Sequence, residues 1–210
     1  MTASPPSPGS LVEALRDAVG ADGVVTDPAQ LAAYGYDAAP AQRGRPDVVV
    51  FPTSTAQVRQ VVRLAAQYGV PIVPRGSGTN LSGGTVPVSG GIVLALTRMN
   101  RILEIDEANL TATVEPGVIT AELHRAVEAR GLFYPPDPGS QAISTIGGNL
   151  AENAGGLRGL KYGVTGDYVM GLEVVLANGE VVETGGKNVK DVAGYDLTRL
   201  FVGSEGTLGI

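Results

Sequence analysis

The stretch Val70-Pro71-Ile72-Val73 runs directly into Pro74-Arg75-Gly76-Ser77-Gly78-Thr79-Asn80, so an apolar strand ends in a glycine-rich loop. Upstream, Val48-Val49-Val50-Phe51 forms a second apolar strand, closed by Pro52. Between the strands, residues 53–68 place apolar side chains at helical spacing, and Gly69 follows as a stop signal. A strand, a helix and a strand in succession predict parallel pairing through a right-handed crossover. We therefore expect a small α/β lobe over about residues 45–105.

Downstream of this loop the sequence pattern changes. A strand is predicted over 91–96, and residues 102–105 and 111–114 alternate as a hairpin does. Asn178-Gly179 separates apolar residues 172–176 from 181–183, a strong two-residue hairpin signal. The remaining segments are predicted as a helix over 119–129, an irregular stretch over 140–163 and a short helix over 196–201. Residues 106–210 are thus expected to form a larger lobe with mainly antiparallel sheet and flanking helices, and the fold class is α+β.

Residues 1–44 are predicted to be an N-terminal extension with short helices. Residues 1–9 are rich in Pro and Ser and are expected to be disordered. They lack the basic and apolar regions of a secretory signal, and we expect a cytoplasmic protein. Ser10-Leu11-Val12-Glu13 resembles a capping box that opens a helix ending at Gly20, and Asp27-Pro28 indicates a second helix start.

Composition excludes several classes of protein. The 210 residues include 30 Gly and 14 Pro, no Cys and one His, and the formal net charge is −6. Without Lys/Arg clusters the chain is not expected to bind nucleic acid. A membrane span needs about 18 consecutive apolar residues, and none occurs. The lack of Cys and the single His argue against a metal site and against a Cys or Ser-His-Asp nucleophile.

Three glycine clusters suggest a ligand site. The first is the loop 74–84, the second spans 137–156, and the third is 203–210. Consecutive small residues let several main-chain N–H groups converge on anionic oxygens without lysines. The first loop does not match the dinucleotide GxGxxG pattern, because Leu81 stands where the third Gly is needed, and no Walker A sequence occurs. Tight packing of one lobe on the other remains an alternative use for Gly155-Gly156 and Gly163.

Three motifs occur in this order: Pro74-Arg75-Gly76-Ser77-Gly78-Thr79-Asn80; then Pro136-Asp137-Pro138-Gly139-Ser140 with Ser144-Thr145-Ile146-Gly147-Gly148-Asn149; then Gly194-Tyr195-Asp196-Leu197-Thr198-Arg199-Leu200-Phe201-Val202-Gly203-Ser204-Glu205-Gly206-Thr207-Leu208-Gly209-Ile210. Together they closely resemble the PCMH-type FAD-binding domain of the vanillyl-alcohol oxidase flavoprotein superfamily. Within it, the motifs are most similar to the glycolate oxidase (GlcD-like) and D-lactate dehydrogenase branch. The resemblance covers about residues 45–210 and implies an FAD held between two lobes.

The resemblance implies roles for individual residues. Residues 74–80 would wrap the pyrophosphate with main-chain amides, and the second and third clusters would line the rest of the cofactor. The implied cofactor-binding residues are Pro74, Arg75, Gly76, Ser77, Gly78, Thr79, Asn80, Asp137, Pro138, Ser140, Ser144, Thr145, Gly148, Asn149, Glu152, Asn153, Ala154, Gly155, Glu205 and Ile210. Members with covalent flavin have a His in the place of Thr79, so we expect non-covalent FAD.

The resemblance also implies a reaction, the oxidation of a 2-hydroxy acid by hydride transfer to flavin, with a quinone, an electron-transfer protein or another electron acceptor. The family's catalytic residues and metal ligands lie in a C-terminal cap domain, so no catalytic residue is expected in this chain. Because Thr207–Ile210 resembles a turn entering a strand, we expect the front part of a longer protein. The alternative is a non-catalytic FAD-binding subunit or fragment that needs a cap domain or partner. A third possibility is an alkyl-glycerone-phosphate synthase, which uses FAD without net redox.

Other polar residues have two interpretations each. His124 lies on the helix face opposite Leu123 and Val127, which favours a solvated surface position over a functional one. Tyr34 and Tyr36 are expected to pack rather than catalyse. Arg158 and Lys161 flank the second cluster, where either ordinary solvation or binding of a substrate anion would suit them.

Overall fold

The structure is a computed structural model that describes residues 8–210, with side chains from residue 10 onward. The helices are α1 (Pro8–Val19), α2 (Pro28–Leu31), α3 (Thr55–Tyr68), α4 (Thr120–Glu128), α5 (Ile146–Glu152), α6 (Gly159–Tyr162) and α7 (Leu197–Phe201). The strands are β1 (Val24–Val25), β2 (Val48–Val50), β3 (Ile72–Arg75), β4 (Ile92–Ala95), β5 (Ile102–Asp106), β6 (Thr111–Val114), β7 (Gly171–Val175) and β8 (Val181–Gly185).

The first sheet has four strands in the order β1-β2-β4-β3. β2 and β3 each pair in parallel with β4, and β1 adds an antiparallel edge to β2. The sequence prediction that β2 and β3 pair with each other is therefore wrong, because β4 lies between them. All four residues of β4 are buried, and a wholly apolar strand gains most from the central position, where both of its faces are covered.

Helix α3 covers one face of this sheet. Ser54 caps its start by accepting a hydrogen bond from the Gln57 amide, and Gly69 ends it in the left-handed conformation with a φ of 65°. Val58, Val61 and Val62 are buried against the sheet, together with Leu15 of α1. The predicted helix of the α/β lobe and its glycine stop are confirmed.

The N-terminal helix begins earlier than the sequence indicated. α1 starts at Pro8, so Ser10 lies inside the helix and does not cap it, and Pro8-Gly9 are helical rather than disordered. A proline suits the first helical turn, since its missing N–H would have no partner there. Residues 1–7, which the disorder prediction also covered, lie outside the described residues. Asp27 does cap α2, accepting from the amides of Ala29 and Gln30.

The rest of the chain forms two antiparallel hairpins and the helices around them. β5 pairs with β6, and β7 pairs with β8 around the Asn178-Gly179 turn, as predicted. Helix α4 buries Leu123 and Val127 against Val118 and Ile146, which makes a separate small core. The α+β class, with parallel strands in the first sheet and antiparallel strands beyond it, is confirmed.

Residues 140–163 are not irregular throughout, which corrects the prediction for this segment. They contain α5 and α6, although Gly147, Gly148 and Gly159 are poor helix formers. Thr145 caps α5 by accepting from the Gly148 amide at 3.2 Å, and buried Ile146 anchors it in the small core. Capping and tertiary packing therefore override the low intrinsic propensity. Within residues 8–210, no helix is both long and apolar enough to cross a bilayer.

Candidate functional site

The three glycine clusters meet in space, although they are far apart in the sequence. Gly76 of the first loop lies against the Thr145 side chain, and Gly206 of the third lies against the ring of Pro74. A Cβ at Gly206 would stand 2.4 Å from Pro74 Cγ, closer than two non-bonded carbon atoms can approach. Glycine at these positions therefore allows the loops to touch.

Hydrogen bonds join the second and third clusters at the end of α5. The amide of Gly203 donates to the Leu150 carbonyl at 2.9 Å, and the amide of Glu205 donates to the Ala151 carbonyl at 3.0 Å. The first loop reaches the same helix, because the Ser82 hydroxyl donates to Glu152 Oε1 at 2.7 Å. Each glycine cluster is thus connected to the other two.

These loops enclose two cavities that share the first loop. The first cavity has a volume of about 360 Å³, and the second, more open one about 630 Å³. Residues 75–79 and Ser140 line both. Fifteen of the residues proposed from the sequence line the first cavity: Pro74, Arg75, Gly76, Ser77, Gly78, Thr79, Asn80, Ser140, Thr145, Gly148, Asn149, Glu152, Ala154, Glu205 and Ile210.

The other five proposed residues lie outside the linings of both cavities and support the loops. The Asp137 carboxylate accepts from the Arg158 amide at 2.9 Å, and buried Ser144 bonds to Thr120 at 3.0 Å. Pro138 accepts a main-chain bond from Gln141, and Asn153 ends α5 and accepts from the Gly166 amide at 2.8 Å. Gly155 lies beside the Val164 side chain.

Sequence reasoning missed two sets of lining residues. The first is apolar and comes from several elements: Leu96, Leu150, Leu172, Val174, Phe201 and Val202. Their sequence signal is that of ordinary core residues, so only the fold distinguishes them. The second set comes from the N-terminal extension and lines the second cavity: Ala33, Tyr34, Tyr36, Asp37 and Ala38. Tyr34 and Tyr36 were expected only to pack.

The first loop presents a row of free main-chain donors. Within residues 8–210, no group accepts a hydrogen bond from the amides of residues 76–80. These residues are half-buried and line the first cavity. Half-buried N–H groups without partners are costly unless a ligand or water satisfies them, and successive N–H groups of this kind suit anionic oxygens. The loop can therefore hold a phosphate or diphosphate group.

Arg75 adds a positive charge beneath this loop. Its side chain is buried, and Nη1 donates to the Tyr36 carbonyl at 2.8 Å while the guanidinium lies over the Tyr34 ring. Burial lowers the pKa of the Arg75 guanidinium, and the carboxylate of Asp37 opposes that shift. At neutral pH the group stays charged, because an arginine begins from a pKa far above 7.

His124 is buried, which corrects the prediction of a solvated surface position. It is 8% exposed; Nε2 lies 2.8 Å from the Pro136 carbonyl, and Nδ1 lies 3.0 Å from Gln141 Oε1. The carbonyl can only accept, so Nε2 is the donor. Helical spacing alone could not show that residues 134–141 fold over this face of α4. Arg158 pairs with Asp137 at 3.5 Å and lies over the Phe133 ring, so Asp137 already offsets its charge.

The chemistry of the groups that line the two cavities suits FAD. The unpartnered amides of 76–80 suit the diphosphate, and the hydroxyls of Ser140 and Thr145 suit the polar ribityl chain. The apolar lining around Leu172, Val174 and Phe201 suits a planar aromatic ring. The two adjoining cavities provide room for an elongated ligand along the first loop.

Comparisons with curated proteins identify relatives of similar sequence. The chain is 67% identical over 177 residues to the glycolate oxidase subunit GlcD of Bacillus subtilis, covering 84% of this chain and 38% of that protein. It is 45% identical over 181 residues to a D-lactate dehydrogenase of Anaerostipes hadrus, covering 86% of this chain and 36% of that protein. The chain thus spans about two fifths of the length of these relatives.

Solved structures show the same fold. An alkyldihydroxyacetonephosphate synthase superposes with a TM-score of 0.85 at 28% identity, covering 99% of this chain and 43% of that one. A p-cresol methylhydroxylase superposes with a TM-score of 0.77 at 27% identity, covering 96% of this chain and 41% of that one. The family described as FAD binding domain matches residues 46–185, which include the first two glycine clusters. That match covers two thirds of the chain, and the chain therefore belongs to this family of FAD-binding domains.

Proposed function

We propose that this chain holds FAD along the three glycine clusters and forms the FAD-binding portion of an oxidoreductase that oxidises a 2-hydroxy acid of the glycolate or D-lactate type. The observation that supports the site is the row of amides at 76–80, which have no acceptor among residues 8–210 and line a cavity that all three clusters border. The observation that favours the substrate class is the similarity to a glycolate oxidase subunit and a D-lactate dehydrogenase.

Each part of the site would bind a different part of the cofactor. The amides of residues 76–80 would hold the diphosphate, with Arg75 supplying positive charge. Ser140 and Thr145 would donate to or accept from the ribityl hydroxyls, and Leu172, Val174 and Phe201 would keep water from a ring. When bound, FAD supplies a hydride acceptor for the α-carbon of the hydroxy acid, while the protein supplies position and electrostatics.

The alternative is a non-catalytic FAD-binding subunit or fragment that requires a cap domain or partner. Its support is that the chain spans about two fifths of the relatives' length. The titratable side chains that line the first cavity are Arg75, Glu152, Glu173 and Glu205. Arg75 is a cation and cannot accept a proton, while the carboxylates of Glu152 and Glu173 accept hydrogen bonds from the Ser82 and Thr55 hydroxyls. The base and the substrate-carboxylate ligands would then come from outside this chain, as would an electron acceptor.

An anaerobic titration separates these possibilities. The purified chain is loaded with FAD and mixed with glycolate, D-lactate or L-lactate, and the flavin absorbance is followed. Bleaching by a hydroxy acid supports the oxidoreductase, whereas bound flavin that only dithionite bleaches supports the non-catalytic alternative. A chain that stays colourless after incubation with excess FAD would contradict both.

A further inference from the structure

Asp37 lies outside the residues that match the family, yet it contacts the first glycine loop. It belongs to a loop over residues 35–44 that closes where the Gly44 amide donates to the Gly35 carbonyl at 2.7 Å. The residue is 7% exposed and lines the second cavity. A carboxylate is rarely this buried unless it has several partners.

Both oxygens of Asp37 have partners. Oδ1 accepts from the Ala39 amide at 2.8 Å, which fixes the carboxylate within its own loop. Oδ2 accepts from Asn80 Nδ2 at 2.7 Å and lies 3.3 Å from the Thr85 hydroxyl. That hydroxyl lies 3.0 Å from Asn80 Oδ1 and shares its single proton between the two acceptors.

Hydrogen bonds to the loop 35–44 thereby hold both ends of the segment whose amides face the first cavity, residues 76–80. At one end, Arg75 Nη1 donates to the Tyr36 carbonyl at 2.8 Å and to Thr85 Oγ1 at 3.3 Å. At the other end, Asn80 donates to Asp37. The residues between, 76–79, have no main-chain hydrogen bonds of their own within the described part of the chain. Between the ends, the Ser77 hydroxyl donates to the Ile143 carbonyl and Gly76 lies against Thr145. The orientation of the amides of 76–80 therefore depends on these contacts and on how the two ends are held.

We propose that Asp37 is a positioning residue of the FAD site, which holds Asn80 and Thr85 so that the amides of 76–80 face the diphosphate. The inference rests on the proposed function, since it assumes that FAD binds along this loop. Asp37 would act through Asn80 and would not touch the phosphates, because a carboxylate beside them would repel them. Its negative charge instead offsets the buried charge of Arg75.

The test measures the dissociation constant of FAD by flavin fluorescence for wild type, Asp37→Asn, Asp37→Ala and the matched control Asp47→Asn. Asp47 is exposed, lines neither cavity and accepts from the Gly91 amide. Loss of hydrogen bonds to a charged group predicts a dissociation constant raised about tenfold or more for Asp37→Ala. Asp37→Asn keeps the shape of the side chain, and Asn80 can still form a hydrogen bond with it by rotating its amide group. The dissociation constant of this variant should therefore increase less. Urea midpoints measured in parallel confirm that each variant is folded during the titration.

A double-mutant cycle that combines Asp37→Ala with Asn80→Ala distinguishes a positioning role of Asp37 from a general effect on the stability of the fold. If Asp37 acts through Asn80, the double variant should bind FAD about as weakly as Asp37→Ala alone, because the second change removes nothing further. Additive effects, or an Asn80→Ala variant with unchanged affinity, would overturn the proposal. So would Asp37 variants that match Asp47→Asn in FAD affinity. If wild type itself binds no FAD, the proposed function fails instead.

Discussion

The Thr145 hydroxyl occupies the space into which a side chain at position 76 would project. A Cβ on Gly76 would stand 2.2 Å from Thr145 Oγ1, which is also the capping oxygen of α5. The first glycine loop and the start of α5 therefore touch at one point, between two parts of the proposed cofactor site. A larger residue at position 76 must therefore displace either the first glycine loop or Thr145, which caps α5.

Gly76→Ala is expected to destabilise the protein and weaken FAD binding together. Overpacking of this kind costs about 1–3 kcal/mol of unfolding free energy, and displacement of the loop moves the amides of 76–80. Gly139→Ala is the control, because a Cβ there meets nothing within 4 Å. The measurements are urea unfolding and FAD titration. If the two variants had equal unfolding free energies and equal FAD dissociation constants, the close contact between Gly76 and Thr145 would be needed for neither stability nor FAD binding.

Bound FAD is expected to be fully dissociable. Thr79, at the position where covalent members have a His, lines both cavities and has no ring nitrogen to attach to flavin. Acid precipitation of the loaded chain should leave all the yellow chromophore in the supernatant. Flavin that stays with the washed pellet would contradict this prediction.

His124→Ala is expected to lower the free energy of unfolding by about 1–3 kcal/mol, the cost of leaving a buried carbonyl without its donor. The carbonyl in question is that of Pro136, and Gln141 loses its partner as well. Arg125→Ala on the same helix removes an exposed side chain and should have little effect. Chemical denaturation of both variants tests this, and similar losses would show that the buried ring contributes nothing specific.

Because of Glu115, the free energy of unfolding is expected to depend on pH in the acid range. The side chain is buried and accepts from Arg101 at Nη2 and at the main-chain amide, both at 2.7 Å. These hydrogen bonds from Arg101 lower the pKa of the Glu115 carboxyl below its usual value. The folded state then binds this proton less tightly than the unfolded chain does. The stabilisation is therefore complete above about pH 4.5 and is lost as the pH falls through the lower folded value.

Glu115→Gln should consequently unfold more easily than wild type at pH 7, by about 1 kcal/mol, and the difference should shrink toward pH 3. Glu107→Gln is the matched control, since Glu107 is exposed and lies 3.8 Å from Arg130. Urea midpoints from pH 3 to 7 provide the measurement. A difference between Glu115→Gln and wild type that stays constant over this range would rule out the titration of Glu115 as its cause.

Local sequence signals determined the elements with clear start and stop residues. Gly69 set the end of α3, and Asn178-Gly179 set the β7–β8 hairpin, because such signals act over a few residues. The ordered glycine motifs and the resemblance they carry also indicated fifteen of the residues that line the first cavity. Their short spacing and small side chains are visible without any structure.

Only the tertiary structure decided what depends on distant partners. It placed β4 between β2 and β3, buried His124 beneath residues 134–141, and brought Asp37 to Asn80, 43 positions along the chain. It also turned Ser144 toward Thr120 and away from the cavities. A side chain's periodicity specifies one face of its own element, whereas its burial and its partners depend on which other element packs there. That choice is made by the free energy of the whole chain.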